Sequence, residues 1–201
     1  MAVTGADSDC KMLVGVREVH FRALQDDGSA DTGADWYATD CPIEVGLDPE
    51  IKEGKSIEQN CGDVLKNEFR TNDILKGMSV KFSMGCRNPE IENIISGSVG
   101  TVTYDASSPP IAIGFTPPTM EEQEDGLDFE MRIYRANVDG SNEDGFEEIQ
   151  LYQCKPAFPK IGGNQDEYGT QEWTIAAVEN PSYDGDGEPV YDWAIVDTIP
   201  T

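Results

Sequence analysis

Positive charge is scarce in this chain. Its 201 residues carry 14 Lys and Arg against 39 Asp and Glu, for a formal net charge of −25 at pH 7. A surface so short of cations repels phosphate backbones, which excludes ordinary nucleic-acid binding by counterion release and equally disfavours anionic membranes. Histidine is almost missing too. The single His20 lies inside a strand pattern, and one histidine excludes a His-rich zinc site. A Ser/His/Asp or Cys/His catalytic set would have to use it. No Gly-x-Ser-x-Gly supports that use, so His20 reads as an exposed or hydrogen-bonded strand residue. Gly-x-Gly-x-x-Gly and P-loop patterns are also missing, which leaves nucleotide binding without support.

No apolar run approaches the roughly 20 residues that span a bilayer. The first residues, Met1 to Asp9, are polar and acidic and do not read as a signal peptide. The five cysteines (Cys10, Cys41, Cys61, Cys86, Cys154) are odd in number, widely spaced and without a Cys-x-x-Cys pair. Reduced thiols in a cytosolic folding compartment are therefore expected. Cys86 and Cys154 fall in strand-like runs and read as small core residues.

What is present is a chain of strands and turns. Hydrophobic residues make up 38%, and 20 Gly with 12 Pro punctuate them, enough for a packed β domain of many short strands. Met12 to Leu24 reads as a strand whose apolar parity changes between Val16 and Val19, which predicts a bulge near Arg17. Trp36 to Leu47 reads as a second strand, with Pro42 arguing for an edge or a strand beginning. Ile51 to Phe69 is read as strand and loop rather than helix, because Gly54 and Gly62 interrupt it. Asp73 to Gly77 reads as a polar turn. Met78, Val80, Phe82, Met84 and Cys86 then share one face of the cleanest strand. Asn88 is the candidate N-cap of a short helix with Pro89 at its first position, an Ile91/Ile94/Ile95 stripe and Gly97 as its stop.

Ser98 to Tyr104 is a further short strand or connection. Ile111 to Phe115, bracketed by Pro109-Pro110 and Pro117-Pro118, is read either as a piece that packs on an outside surface or as a core strand. Leu127 to Val138 and Gly145 to Ala157 form an expected hairpin, and Glu172 to Val178 and Val190 to Ile199 supply two more strands.

Three chemical constellations can be weighed. The abundant carboxylates will pair by chance, and a glycosidase needs two across a sugar cleft, which sequence does not show. Trp36, Tyr37, Trp173, Tyr191 and Trp193 could line a carbohydrate platform, though strand aromatics more often anchor cores and interfaces. Asn137, Asp139 and Ser141 with Glu148 echo a calcium loop, but Asn142 stands where the sharp turn needs glycine. The acid-rich Asp184 to Glu188 reads the same way, as turn chemistry. No catalytic, cofactor-binding or metal-ligating residue is assigned, and no enzyme activity is expected.

The order of features resembles the tail tube (major tail) proteins of long-tailed bacteriophages. It runs from the opening strand Val14 to Phe21, through the turn Asp73 to Gly77, the strand Met78 to Ser83 and the helix Pro89 to Gly97, to the late strand Gln171 to Ala177. The likeness covers most of the chain as an order of elements and rests on no diagnostic motif. It implies an all-β, mainly antiparallel fold with one short helix, a β-sandwich or barrel with long loops. Subunits of this kind form rings, usually hexameric, that stack around a tape measure protein, meet terminator and baseplate proteins, and let DNA pass through the lumen in the virion. An acidic lining keeps DNA from adhering.

The expected organisation is one β-rich domain over 1–201, with an extended loop at 105–126 and a flexible arm at 1–11. Alternatives are another virion structural protein (tail terminator, head-tail joining or capsid decoration), a carbohydrate-binding or adhesin module, and an acidic hydrolase.

Overall fold

The computed structural model describes residues 12–39, 42–54, 56–61, 64–70, 72–139, 142–162, 170–183 and 188–200; the expected arm at 1–11 lies outside them. The fold is all-β and mainly antiparallel, with one short helix. In chain order the strands are β1 (Met12–Ala23), β2 (Tyr37–Thr39), β3 (Pro42–Lys52), β4 (Ser56–Cys61), β5 (Val64–Arg70) and β6 (Ile74–Met84). Helix α1 (Pro89–Ile95) follows, then β7 (Thr101–Tyr104), β8 (Ala112–Thr116), β9 (Phe129–Asp139) and β10 (Asn142–Cys154). The chain finishes with β11 (Lys160–Gly162), β12 (Thr170–Val178) and β13 (Tyr191–Val196).

Nine of these strands form one sheet in the order β2-β1-β9-β10-β12-β6-β3, with β11 added on β12 and β13 on β10. The sheet folds over on itself at β10. That strand pairs with β13 from Phe146 to Leu151, and its ladder with β12 is the single pair Cys154↔Ala177. Two layers result, β2-β1-β9-β10-β13 and β12-β6-β3, and their far margins also meet. Thr39 ends β2 and Pro42 begins β3, so covalent reach holds those strand ends within roughly 11 Å, and β1 contacts β3. This is a sandwich-like arrangement with one side bridged by the chain itself.

The core lies between the layers. Phe21, Phe129, Met131, Ile133 and Leu151 come from one side and Val80, Phe82, Met84, Trp173 and Ile175 from the other, all essentially inaccessible. Their rings mesh: Phe21 and Phe82 centroids are 5.4 Å apart, and Phe82 stacks on Trp173 at 5.5 Å. Such aromatic pairs add about 0.5–1.5 kcal/mol beyond the area they bury.

Helix α1 plugs one end of this core with Ile91, Ile94 and Ile95. The side chain of Asn88 accepts the Glu90 and Ile91 N–H groups at 3.0 and 3.3 Å, satisfying donors that the first turn leaves free. At the other end Gly97 takes φ +93°. The Gly97 N–H donates to Ile94 and the Ser98 N–H to Asn93, at 2.9 and 2.8 Å, the double bond of a Schellman stop.

Several expectations are corrected. Trp36 to Leu47 is not one strand: β2 and β3 lie on opposite margins of the sheet, and Pro42 opens β3, where a missing N–H costs least. Residues 74–77 belong to β6 rather than to a turn. β6 ends at Met84, so Cys86 is exposed past its end and is not a core residue. The segment 105–126 is more than a loop, because β8 pairs there with β7 and Glu122–Asp125 form a 3-10 turn. The predicted bulge in β1 is present, with register shifts on both sides of Val16 and Gly15 at φ +57°.

Candidate functional site

Alternation along β9 puts Phe129, Met131 and Ile133 in the core and should send Glu130, Arg132 and Tyr134 to solvent. Yet Glu130 and Tyr134 are fully buried. Cross-strand register sets Arg22 of β1 opposite Glu130, and places Gln150 of β10 opposite Arg132. Trp36 and Tyr183, on the connections before β2 and after β12, cover this second face.

Glu130 collects five donors. The Arg22 guanidinium and the Tyr183 hydroxyl donate to Oε2 at 2.5 and 3.1 Å. Arg132 donates twice to Oε1 at 3.1 Å, and Gln150 once at 2.7 Å. Both guanidiniums also lie over the Trp36 ring, 4.5 and 4.4 Å from its centroid, a cation–π arrangement that gains when water is excluded. Burial alone would lower the Arg132 pKa, but Glu130 and Glu148 beside it outweigh that and raise it.

Next to this cluster is a cleft of about 290 Å³ bordered by Glu18, His20, Trp36 and Tyr134. His20 Nε2 lies 3.0 Å from Glu18 Oε2, and its ring packs 4.8 Å from that of Tyr134. Burial, then Glu148, pushes the Tyr134 phenol up to about 12. Among the described residues the cleft lining holds no serine, threonine or cysteine that the His–Glu pair could activate. The expected hydrogen-bonded histidine is found, buried rather than exposed.

A different surface stands out on the opposite side of the fork in β10. Among the described residues β13 pairs with β10 alone, and Tyr191, Trp193 and Ile195 are set opposite Leu151, Ile149 and Glu147, on the core-facing side. The second layer does not reach far enough to cover them, so Trp193 and Ile195 stay 59% and 58% exposed. Leu75 and Pro49 of that layer complete an open groove of about 330 Å³. Ile74 and Ile51 are exposed at its end. Large apolar residues thus lie open on a strongly charged chain, with the Arg135–Glu147 ion pair in the same lining.

The aromatic set considered from sequence is therefore divided. Trp173 is in the core, Tyr37 packs half-buried against it, Trp36 is sandwiched with arginines, and only Tyr191 and Trp193 share an exposed groove. In the calcium-like set, Asn137 and Asp139 are on β9 and Glu148 on β10, with strands on both sides as expected, while Ser141 lies outside the described residues. The acid-rich stretch 184–187 is likewise outside them. Glu188 exchanges both backbone bonds with Asn180 at 2.7 and 3.0 Å. Among the described residues no group of three or more His, Cys, Asp or Glu could hold a metal ion, and no helix is long and apolar enough to cross a membrane.

The Glu130 cluster was not anticipated from sequence. Its signal was the uncommon pairing of Glu and Arg at alternate positions of two strands, visible only once their register is known. No protein-family model matches the chain, and no curated protein is significantly similar to it.

Proposed function

We propose that this chain is a structural subunit of a bacteriophage tail tube, assembling with its own copies into stacked, hexameric rings with an acidic lumen. The observation that carries the reading is the open β13 edge, with Tyr191, Trp193 and Ile195 uncovered on a chain of net charge −25. Exposed apolar strand edges are tolerated where another chain pairs with them and closes the sheet. The all-β sandwich with one docked helix, and the resemblance in order of elements, point the same way.

Six copies at −25 carry a formal −150. Contacts between subunits then rest on strand pairing and apolar anchors, with acids directed to lumen and exterior. A lumen short of Lys and Arg gives passing DNA nothing to bind. Tape measure, terminator and baseplate proteins are the partners this reading brings, and the virion tail is its location.

Electron microscopy of the purified protein, concentrated and with divalent ions added, tests this directly. Long tubes with a regular ring repeat and an open channel are expected. Single closed rings would move the assignment to a joining or terminator protein, and a chain that stays monomeric counts against the reading. The second reading, a carbohydrate-binding module, draws on Tyr191 and Trp193 side by side in one groove. It predicts sugar-dependent thermal stabilisation that Trp193→Ala abolishes.

A further inference from the structure

Sheet edges in soluble proteins are commonly blunted by shortness, proline, lysine or bulges. The margins of the large sheet follow that rule. β2 and β11 have three residues each, and β3 carries Pro42, Pro49, Glu44, Asp48, Glu50 and Lys52. β13 does not: over Tyr191–Val196 its only charge is Asp192, and it has neither proline nor lysine. The Trp193 N–H is held by the neighbouring Asp192 carboxylate at 2.6 Å, a side chain standing in for a strand partner.

One other edge strand with described side chains is nearly as long and still poorer in charge. β8 (Ala112–Thr116) has no charged residue, pairs with β7 on one side only, and sits between Pro110 and Pro117. Ile111 and Ile113 are 60% and 63% exposed. In a chain that is 26% charged and strongly acidic, two copies repel least where the facing strands bring little charge.

Lys52 and Lys76 are exposed among Glu50, Glu53 and Asp73 where β3 ends and β6 begins, and Asp192 is exposed on β13 itself. β8 leads into the exposed acids Glu121, Glu122, Glu124 and Asp125.

We propose that the open edge of β13 receives β8 of a second copy, so that copies join head to tail. Because the two strands are different patches of one chain, the contact is heterologous, and it closes into a ring or runs on as a filament. This inference names the contact on which the assembly reading above rests, and it can fail while that reading stands.

The test uses three proteins: wild type, Trp193→Lys and Ile113→Lys. Both positions are largely exposed, and circular dichroism checks that each variant folds; Ala194→Lys and Thr116→Lys, also exposed, serve as a second pair. Light scattering after size exclusion, over a range of concentrations, should show wild type in large assemblies and each variant alone as a monomer. An equimolar mixture should give one-to-one dimers and nothing larger, since it retains one intact β13 and one intact β8 to pair. Assembly of Ile113→Lys like wild type, with Trp193→Lys monomeric, would mean that β13 pairs with something other than β8 and would overturn the proposal. Normal assembly of both variants would also overturn it while leaving self-assembly intact through another surface. A wild-type chain monomeric at every concentration would remove the proposal and the assembly reading together.

Discussion

Glu130 shows how much one side chain can hold. With no exposure and five donors around it, its removal takes the carboxylate from Arg22 and leaves Arg132 with Glu148 alone, 3.4 Å away. Glu130→Ala should cost about 3–5 kcal/mol, which lowers the melting temperature by on the order of 10 °C in a chain of this size. The exposed Lys81–Asp48 pair at 3.4 Å is the contrast, and Asp48→Asn should change stability by less than about 1 kcal/mol. Thermal melts of the two variants side by side decide the point, and equal shifts would refute the buried-charge account.

Two phenols extend the argument to pH. Burial raises Tyr134 and Tyr152 from an ordinary 10.0 to about 12. Below pH 10 both are neutral folded or unfolded, and their contribution is fully present. As pH rises from 10 through 12 the unfolded chain loses protons that the folded chain keeps, so stability falls across that window. Phenolate absorbance should therefore appear late, together with loss of the folded dichroism signal, and Tyr134→Phe should reduce the late step. Thiol labelling gives a third residue-scale check. Burial pushes the Cys154 thiol up, whereas Cys86 is exposed. Mass-mapped alkylation of the native protein should mark Cys86 and leave Cys154 until denaturant is added.

At the scale of elements, local pattern was readable and pairing was not. The α1 caps and stripe could be named from residues 88–97 because every bond involved spans only a few positions. Asn88→Ala should cost about 1 kcal/mol. Gly97→Ala should cost more, since φ is +93° and an added Cβ would lie 2.8 Å from the Gly126 Cα. Urea melts of both variants measure the order. The alternation of β6 and the bulge in β1 were legible for the same reason, being properties of one strand. The division of residues 36–47 between opposite margins was hidden because pairing partners come from distant parts of the chain. Glu130, Arg132 and Tyr134 looked like a solvent face, since nothing local announces that Trp36 and Tyr183 will cover them. Likewise, the exposure of Trp193 depends on how far the second layer extends, which β13 itself does not encode.

At the scale of the molecule, charge opposes every association that packing favours. A copy at −25 repels its neighbours over roughly 8–10 Å at moderate salt. Assembly through near-neutral edges should therefore strengthen as sodium chloride rises, the reverse of what an interface held by ion pairs would show. Sedimentation at a series of salt concentrations measures this, and a fall in assembly with salt would contradict it. The forked strand β10 matters differently once copies are joined. It is bonded to β9 along its length, to β13 over Phe146–Leu151, and to β12 at Cys154. A pull arriving on β13 would thus enter a strand already tied into both layers and load several ladder hydrogen bonds in shear at once. How fast such a joint lets go is set by the dissociation rate of the contact between copies rather than by its equilibrium affinity. In mechanical terms β10 is the beam of this subunit, and the joint should rupture at the contact between copies before the sandwich itself opens.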